Sequence, residues 1–319
     1  GAVLLLVQAG SLVVLVAAVV GVGLTLERLL LFYAERAEAR RAAAKFAIVW
    51  RAGDVAVLLA ALLLWTAYGT AEIGAIRAAA AEALPLSAQF AAGLLVVAAL
   101  LKTAAFPVHG WLTEVMEAPT PVSALLHAGI INAGGFLLIR LADVVQANPG
   151  PMAALVMLGG FAALFGAVVM LTQSAVKTAL AWSTVAQMGF MLLQCGLGLW
   201  PLALLHLVAH SLYKAHAFLG AGSAVAAVLA VRRPGPVSTP GAAAVARAFA
   251  LALVLYAVVA IGAGAITGPK SAQALALGAI LIFGVAYLVA QGLADTAPQA
   301  LTRRTTIASV ATAVAYFGF

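Results

Sequence analysis

The stretch LLKTAAFPVHGWL, residues 100–112, places a lysine and a proline inside an otherwise apolar run that extends over residues 88–113. Lys102 lies about fourteen residues into that run, which is roughly 21 Å from its start if the run is helical. Pro107 lacks a backbone donor and displaces the carbonyl group one turn earlier. The stretch therefore predicts a helix that is interrupted near Pro107, beside a deeply placed ammonium group.

The composition of the whole chain indicates a membrane protein. Of 319 residues, 65% are hydrophobic and 8% are charged, whereas soluble domains have about 25% charged residues. We therefore predict an all-α polytopic membrane protein that forms a single transmembrane domain over residues 1–319. The only cysteine, Cys195, rules out a disulfide framework within the chain. Because the sequence starts at Gly1 and stops in an apolar run, we expect it to be a fragment of a longer chain.

About ten apolar runs have the length of roughly 20 residues that a membrane-crossing helix needs. The first run is long for one straight helix, so we expect it to be tilted or to begin in a preceding loop. Charged, Pro-rich and Gly-rich segments separate the runs, and the first of these segments is ERAEARRAAAK, residues 35–45. The predicted spans are 2–33, 46–68, 88–113, 121–145, 152–172, 175–199, 201–231, 242–266, 270–293 and 304–319.

The basic residues between these spans predict the orientation. One set of alternate loops contains nine of them and the other set contains only Arg77 and Lys270. Cytoplasmic loops are enriched in Lys and Arg, so the loops after residues 33, 113, 172, 231 and 293 are predicted to be cytoplasmic. The net charge of +7 is thereby attributed to topology and not to nucleic-acid binding. The nine residues are Arg36, Arg40, Arg41, Lys45, Lys177, Arg232, Arg233, Arg303 and Arg304.

Several ionisable residues lie within the predicted spans. A charged group at the bilayer centre costs about 2.5–3.5 kcal/mol on insertion scales, so each is a functional candidate. Arg28, Arg140 and Arg247 are expected instead to extend from helix ends to the membrane surface. The candidates are Glu27, Asp54, Lys102, His127, His206, His210 and Lys214, with Lys177, Glu114 and Glu117 near the span ends.

Lys102 has two possible roles. Unpaired backbone at membrane depth is tolerated only against protein or a water-filled cavity, and burial disfavours the charged form of a lysine. A hydrated site where the amine gains and loses a proton is the interpretation that we favour. The alternative is a structural ion pair.

The stretch LLHLVAHSLYKAHAF, residues 204–218, places His206, His210 and Lys214 on one helix face, because their spacing is i, i+4 and i+8. His216 lies away from that face. Two histidines at this spacing can bind zinc, but the glutamate of H-E-x-x-H is absent and lysine is a poor third ligand. Core histidines bonded to backbone or hydroxyl groups are a second possibility. We favour a row of proton carriers, and we predict no metal site in this chain.

The longer stretch LLKTAAFPVHGWLTEVMEAPTPVSALLHAGIINAGG, residues 100–135, resembles a segment of the proton-translocating antiporter-like subunits. These are the large membrane subunits of respiratory complex I and of multisubunit cation/proton antiporters. The resemblance continues, in the same order along the chain, through WRAGDV (50–55), QSAVKTALAWSTVAQMGFM (173–191) and HLVAHSLYKAHAFLGAGS (206–223).

This resemblance implies inverted five-helix repeats, each with an interrupted helix, joined by a hydrated chain of Lys, His and Glu. Residues 46–200 would be the first repeat region, and residues 201–319 the central relay helix with an abbreviated second half. The resemblance implies a proton relay of Lys102, His127, Lys177, His206, His210 and Lys214. It also implies that Arg51, Asp54, Glu114 and Glu117 gate these lysines or pair with them.

Two departures from the family pattern are visible. Complex I subunits have a glutamate in WEGVGL, where this chain has VVGVGL with Val20 at that position. Glu27, seven residues later, either substitutes for that glutamate or caps the cytoplasmic end of the helix. The second lysine motif, GFFSKDEI, has no counterpart after residue 223, and Lys270 in a predicted outer loop is a poor replacement.

These departures, with LERLLLFYAERAEARRAAAKF (26–46) and INAGGFLLIRLADV (131–144), look more like the DabB branch, the membrane subunits of inorganic-carbon accumulation systems. That resemblance implies a partner, DabA, that is a zinc protein similar to β-carbonic anhydrases. The complex would lie in a bacterial inner membrane. Flow of protons or Na+ through this chain would drive the partner to hydrate CO2 to bicarbonate in the cytoplasm. This chain would be no enzyme and would have no cofactor. A complex I-like pump subunit, a cation/proton antiporter subunit and a passive membrane anchor are the alternatives.

Overall fold

In a computed structural model of the chain, residues 1–230 and 241–278 are described, together with the single positions 280, 307, 311 and 314. The regular structure of these residues is helical and contains no strand beyond one isolated bridge between Ser11 and Glu72. The all-α class is thereby confirmed. The helices are α1 (Ala2–Gln8), α2 (Leu12–Leu30), α3 (Ala37–Tyr68), α4 (Ile73–Glu82), α5 (Leu86–Lys102), α6 (Gly110–Glu114), α7 (Thr120–Ala128), α8 (Ala133–Arg140), α9 (Ala142–Gln146), α10 (Pro149–Met170), α11 (Val176–Gly196), α12 (Trp200–Ala230) and α13 (Ala242–Thr267).

Within the described ranges, five helical segments are long and apolar enough to cross a membrane. They are Leu12–Tyr33, Ala37–Tyr68, Thr120–Arg140, Pro149–Met170 and Val245–Ile266. Helices α4 and α5 meet at 119° and together make a sixth candidate. Helices α11 and α12 contain 21 and 31 residues and so have the length of a crossing, but they are not among the segments that also meet the hydropathy criterion. The predicted span 270–293 is described only at residues 270–278 and 280, and the predicted span 304–319 only at residues 307, 311 and 314.

The first predicted span, 2–33, is two helices. The helical structure is interrupted between α1 and α2, where the backbone N–H of Leu12 donates to the carbonyl of Ala71 at 2.8 Å. At the same break Arg140 donates to the carbonyl of Ala9 at 2.7 Å. The last carbonyl groups of a helix have no partner within the helix, and Arg140 binds one of them at the end of α1; that Arg140 extends to the membrane surface stays a prediction.

Residues 35–45 were expected to form a loop, but α3 already begins at Ala37. The segment is rich in Ala, Arg, Glu and Lys, which are good helix formers, and it contains no Gly or Pro. The charged segment therefore extends the membrane helix instead of ending it. Helix α3 ends at Tyr68, and its C-cap residue Gly69 adopts a left-handed φ of 67°.

The predicted span 121–145 is divided into α7, α8 and α9. A short 3-10 segment, Ile130–Asn132, separates the first two of these helices. The side-chain amide of Asn132 donates to the carbonyl of Ala128 at 2.9 Å, which satisfies an acceptor left by the break.

The chain divides into two compact units, residues 1–227 and 228–319. In the first unit, α10 and α11 pack backbone against backbone. A Cβ atom added to Gly189 would lie 2.7 Å from the carbonyl oxygen of Gly159, so the helices approach closely through small residues. In the second unit, the hydroxyl group of Tyr256 on α13 donates to the carbonyl of Leu275 at 2.9 Å.

Candidate functional site

Lys102 is the last residue of α5 and has no exposed surface. Its Nζ atom donates to Oδ1 of Asp54 at 2.7 Å and to the carbonyl oxygen of Trp50 at 3.4 Å. It also lies 4.2 Å from the centroid of the Trp50 ring, which is a cation–π distance. The ammonium group is therefore held by three contacts to two residues of α3, Asp54 and Trp50, close to where α5 ends.

Asp54 connects Lys102 to two further charged residues. Arg51 donates to Oδ2 of Asp54 at 3.2 Å, and its other terminal nitrogen lies 2.6 Å from Oε2 of Glu27 on α2. Glu27, Arg51, Asp54 and Lys102 form a chain of alternating charges across three helices, named here the Lys102 cluster. Its formal charges cancel. The side chain of Glu27 is 31% exposed and that of Lys102 is fully buried, so the cluster extends from the surface of the chain into its interior.

If the chain conducts ions, as the resemblance implies, Glu27→Gln should lower ion flux severalfold without preventing assembly. The pair with Arg51 is about one third exposed, and such pairs contribute roughly 0.2–1 kcal/mol to stability. Without the Glu27 carboxylate, Asp54 is the only acidic partner left to Arg51 in the cluster. Arg51 and Lys102 then compete for the same carboxylate. Ion flux in vesicles, measured over a pH series, tests this expectation. Glu82→Gln, an exposed position on α4, is the control, and equal flux in both variants would remove Glu27 from the site.

The interruption after Lys102 covers residues 103–109, and the helix resumes at Gly110, as predicted. The hydroxyl group of Thr103 donates to the carbonyl of Ala99 at 2.7 Å, and Ala104 adopts a left-handed φ of 50°. His109 closes the segment, with its ring 5.1 Å from that of Trp182 on α11. Its buried Nδ1 atom has no hydrogen-bond partner among the described residues. Sequence reasoning did not select His109.

His127 on α7 is fully buried. Its Nδ1 atom lies 2.9 Å from the hydroxyl group of Thr184, and its ring stacks on Phe218 with centroids 4.2 Å apart. The Nε2 atom is buried and has no partner among the described residues. His127 interacts electrostatically with Lys214 and His210, so α7, α11 and α12 converge at this point.

Lys214 on α12 is also fully buried. Its Nζ atom donates to the carbonyl oxygen of Leu180 at 3.0 Å and to the hydroxyl group of Ser183. Both acceptors are uncharged, whereas Lys102 is bound to a carboxylate. In the part of the chain that the structure describes, the two buried lysines therefore have partners of different charge.

His206 and His210 precede Lys214 on the same face of α12. His206 Nδ1 lies 2.9 Å from Oε1 of Gln194, and its ring centroid is 6.1 Å from that of His210. Both nitrogens of His210 are buried without a described hydrogen-bond partner. His216 is exposed, as its spacing predicts. His127, His206, His210 and Lys214 are named here the Lys214 cluster.

The other predicted site residues lie outside these two clusters. Lys177 is half-buried near the start of α11 and donates to the carbonyl of Ala118 at 3.4 Å. Glu114 forms an ion pair with Lys45 on α3, not with a relay lysine. The side chain of Glu117 lies outside the described part of the structure.

The structure adds polar partners that sequence reasoning missed. Ser183, Thr184 and Gln194 bind the titratable groups of the Lys214 cluster, and Trp50 covers Lys102. Ser183, Thr184 and Gln194 could have been selected from the sequence, because they are polar residues in the mostly apolar run that forms α11. No group of three or more His, Cys, Asp or Glu residues is arranged to hold a metal ion in the described ranges.

The sequence is similar to one protein family and to several of its members. Residues 9–267 match the family described as NADH:quinone oxidoreductase/Mrp antiporter, TM. "Probable inorganic carbon transporter subunit DabB2" of Halothiobacillus neapolitanus is 48% identical over 222 residues, which cover 69% of this chain and 40% of that protein. "Probable inorganic carbon transporter subunit DabB" of Hydrogenovibrio crunogenus is 48% identical over 227 residues, which cover 70% of this chain and 44% of that protein. The chain thus spans less than half the length of these relatives.

A solved structure shows the same architecture. A chain of the Mrp complex from Dietzia sp. DQ12-45-1b superposes with a TM-score of 0.69 and 26% sequence identity, covering 98% of this chain and 37% of that one. The match to the family description covers most of the sequence, including the helices of both clusters. The chain is therefore a multi-pass membrane protein of the NADH:quinone oxidoreductase/Mrp antiporter transmembrane family.

Proposed function

We propose that the chain conducts cations, as the energy-coupling subunit of a membrane complex that accumulates inorganic carbon. The observation that carries the proposal is the fully buried Lys102, bound to Asp54 where α5 is interrupted. Ionisable groups at membrane depth are costly and are retained mainly for function. A carboxylate close to a lysine favours its charged form, so approach and retreat of Asp54 would load and unload a proton.

Protons are the ions that these side chains fit best. They would pass between side chains through internal water, and buried polar atoms without a protein partner normally bind water. The two unpartnered nitrogens of His210 and the one of His127 support such a path. Glu27, Arg51, Asp54, Glu114 and Glu117 would gate it. The relay residues in this proposal are Lys102, His127, Lys177, His206, His210 and Lys214.

The names of the two curated relatives support inorganic carbon as the cargo of the whole complex. The partner would then be a DabA-like zinc protein similar to carbonic anhydrases, which hydrates CO2 on the cytoplasmic side of a bacterial inner membrane. The zinc would be in the partner, and this chain would supply the driving force. The loops after residues 33, 113, 172, 231 and 293 would face the cytoplasm, as their basic residues predict.

The similarity to a chain of an Mrp complex favours a second candidate, a subunit of a multisubunit cation/proton antiporter. The relay would be the same in both cases, so the relay alone does not separate them. The partner does, because an antiporter would assemble with small membrane subunits and a complex I-like pump with quinone-reducing subunits.

Purification of the full-length protein from its native membrane, with its partners, tests the assignment. We expect a large soluble-domain partner that contains zinc, detected by metal analysis and mass spectrometry of the intact complex. Co-purification with quinone oxidoreductase subunits or with small antiporter subunits, and without zinc, would contradict the carbon-accumulation proposal. Full ion flux in a Lys102→Met variant would contradict the conduction proposal.

A further inference from the structure

Three aromatic rings lie together between α3 and α6. The ring centroids of Phe46 and Trp50 are 5.1 Å apart, those of Phe46 and Trp111 are 5.2 Å apart, and those of the two tryptophans are 6.3 Å apart. All three side chains are essentially without exposed surface. This aromatic trio is an apolar plug within the protein.

The trio separates two ion pairs. Along α3 the order is Lys45, the first two aromatic residues and then Asp54, and on α6 Trp111 precedes Glu114 by one helical turn. Lys45 and Glu114 form an ion pair whose side chains are 47% and 38% exposed. Asp54 and Lys102, on the other side of the rings, are buried. The trio therefore lies between an exposed ion pair and the buried one.

Trp50 and Trp111 differ in how they are held. The indole of Trp50 packs against Gly23 on α2, where an added Cβ atom would collide with it, and its face lies against the ammonium group of Lys102. Trp111 has a buried Nε1 atom without a hydrogen-bond partner among the described residues. An unpaired indole N–H is costly, so this ring would gain a hydrogen bond whenever water enters beside it.

We infer that the aromatic trio is a gate that controls access of water and protons to Lys102 from the side of the Lys45–Glu114 pair. Apolar constrictions of this kind close a path by excluding water. Rotation of the Trp111 indole opens the gate, and its N–H then donates to the entering water. Trp50 stays in place as the cover of the ammonium group. The inference rests on the proposed conduction through Lys102 and identifies one entrance to it.

The test measures passive proton leak of the intact complex in liposomes that contain an impermeant pH dye, under an imposed membrane potential and normalised to assembled complex. Trp111→Ala should raise the leak severalfold, because it removes the plug. Trp111→Phe should stay near the wild-type leak, because it keeps a ring, but should slow coupled flux by removing the N–H donor. Trp111→Leu is measured in parallel, so that the test does not depend on assembly of the alanine variant.

Two comparisons decide the outcome. Trp65→Ala changes a tryptophan on α3 that is 54% exposed, and it should leave the leak unchanged. Adding Lys102→Met to Trp111→Ala should abolish the extra leak. Wild-type leak in whichever of the Trp111→Ala and Trp111→Leu complexes assembles would overturn the gate while leaving conduction through Lys102 intact. Flux that persists in Lys102→Met alone would instead contradict the proposed function.

Discussion

Under the proposed function, replacing Lys102 with methionine should abolish ion flux, and with it inorganic-carbon uptake, while the complex still assembles. Methionine fills a similar apolar volume but cannot bind a proton. Asp54 keeps its bond to Arg51, so the substitution does not leave a buried carboxylate without any partner, which would be the most destabilising outcome. Uptake of labelled bicarbonate by cells, with the amount of assembled complex measured alongside, checks this prediction.

A Lys102→Arg variant separates the two roles considered for this residue. Arginine preserves the positive charge next to Asp54 but does not release its proton at physiological pH. A structural ion pair would therefore be rescued at least in part, and a proton carrier would not. Uptake restored by arginine would favour the structural ion pair, and full uptake with methionine would exclude both roles.

The second large effect is expected from Gly189→Ala on α11. The new Cβ atom would lie 2.7 Å from the carbonyl oxygen of Gly159 and 2.8 Å from the carbonyl carbon of Ala162. Both are backbone atoms of α10 and cannot rotate away, so the helices must separate. Overpacking of this kind typically costs about 1–3 kcal/mol and occasionally more. We expect a lower melting temperature of the purified complex and loss of flux, because α11 also positions Ser183 and Thr184.

Gly93→Ala on α5 is the matched control for that substitution. An added Cβ atom at this helical position meets nothing within 4 Å, and replacing glycine with alanine inside a helix stabilises it by roughly 0.5–1 kcal/mol. The control should therefore be neutral or slightly stabilising. Equal melting temperatures for the two variants would show that α10 and α11 do not pack as described.

The sequence predicts those features that depend on residues close together in the chain. The spacing of His206, His210 and Lys214 places them on one face, and Pro107 next to Lys102 predicts the interruption. The pairing of Glu27 with Arg51 was not predictable, because it depends on how α2 and α3 are aligned along their length. The same is true of Lys45 and Glu114, which are 69 residues apart. These two ion pairs depend on tertiary packing, and no local sequence pattern indicates which residues the packing brings together.

The predicted limits of the helices differ from the structure at segment 35–45 and within the span 2–33. The charged segment 35–45 suggested a loop, although its residue types favour a helix, because charge was used as the sign of a boundary. The length of the run 2–33 predicts a tilted helix or one that begins in a preceding loop, but it does not locate the break, which is stabilised by hydrogen bonds from Leu12 and Arg140 to distant carbonyl groups. For this break, unlike for segment 35–45, the missing information was which distant groups the backbone contacts.

The exposure of Glu27 has a consequence for communication between subunits. Three successive ion pairs connect its partly exposed carboxylate to a lysine that has no contact with solvent. In a medium of low polarizability, a charge placed near one end of such a series changes the electric potential at the other end without any helix moving. A neighbouring subunit that approaches α2 can therefore act on Lys102 without touching it. Lys102 can thus respond to a charge outside the protein even while the aromatic trio excludes water from it.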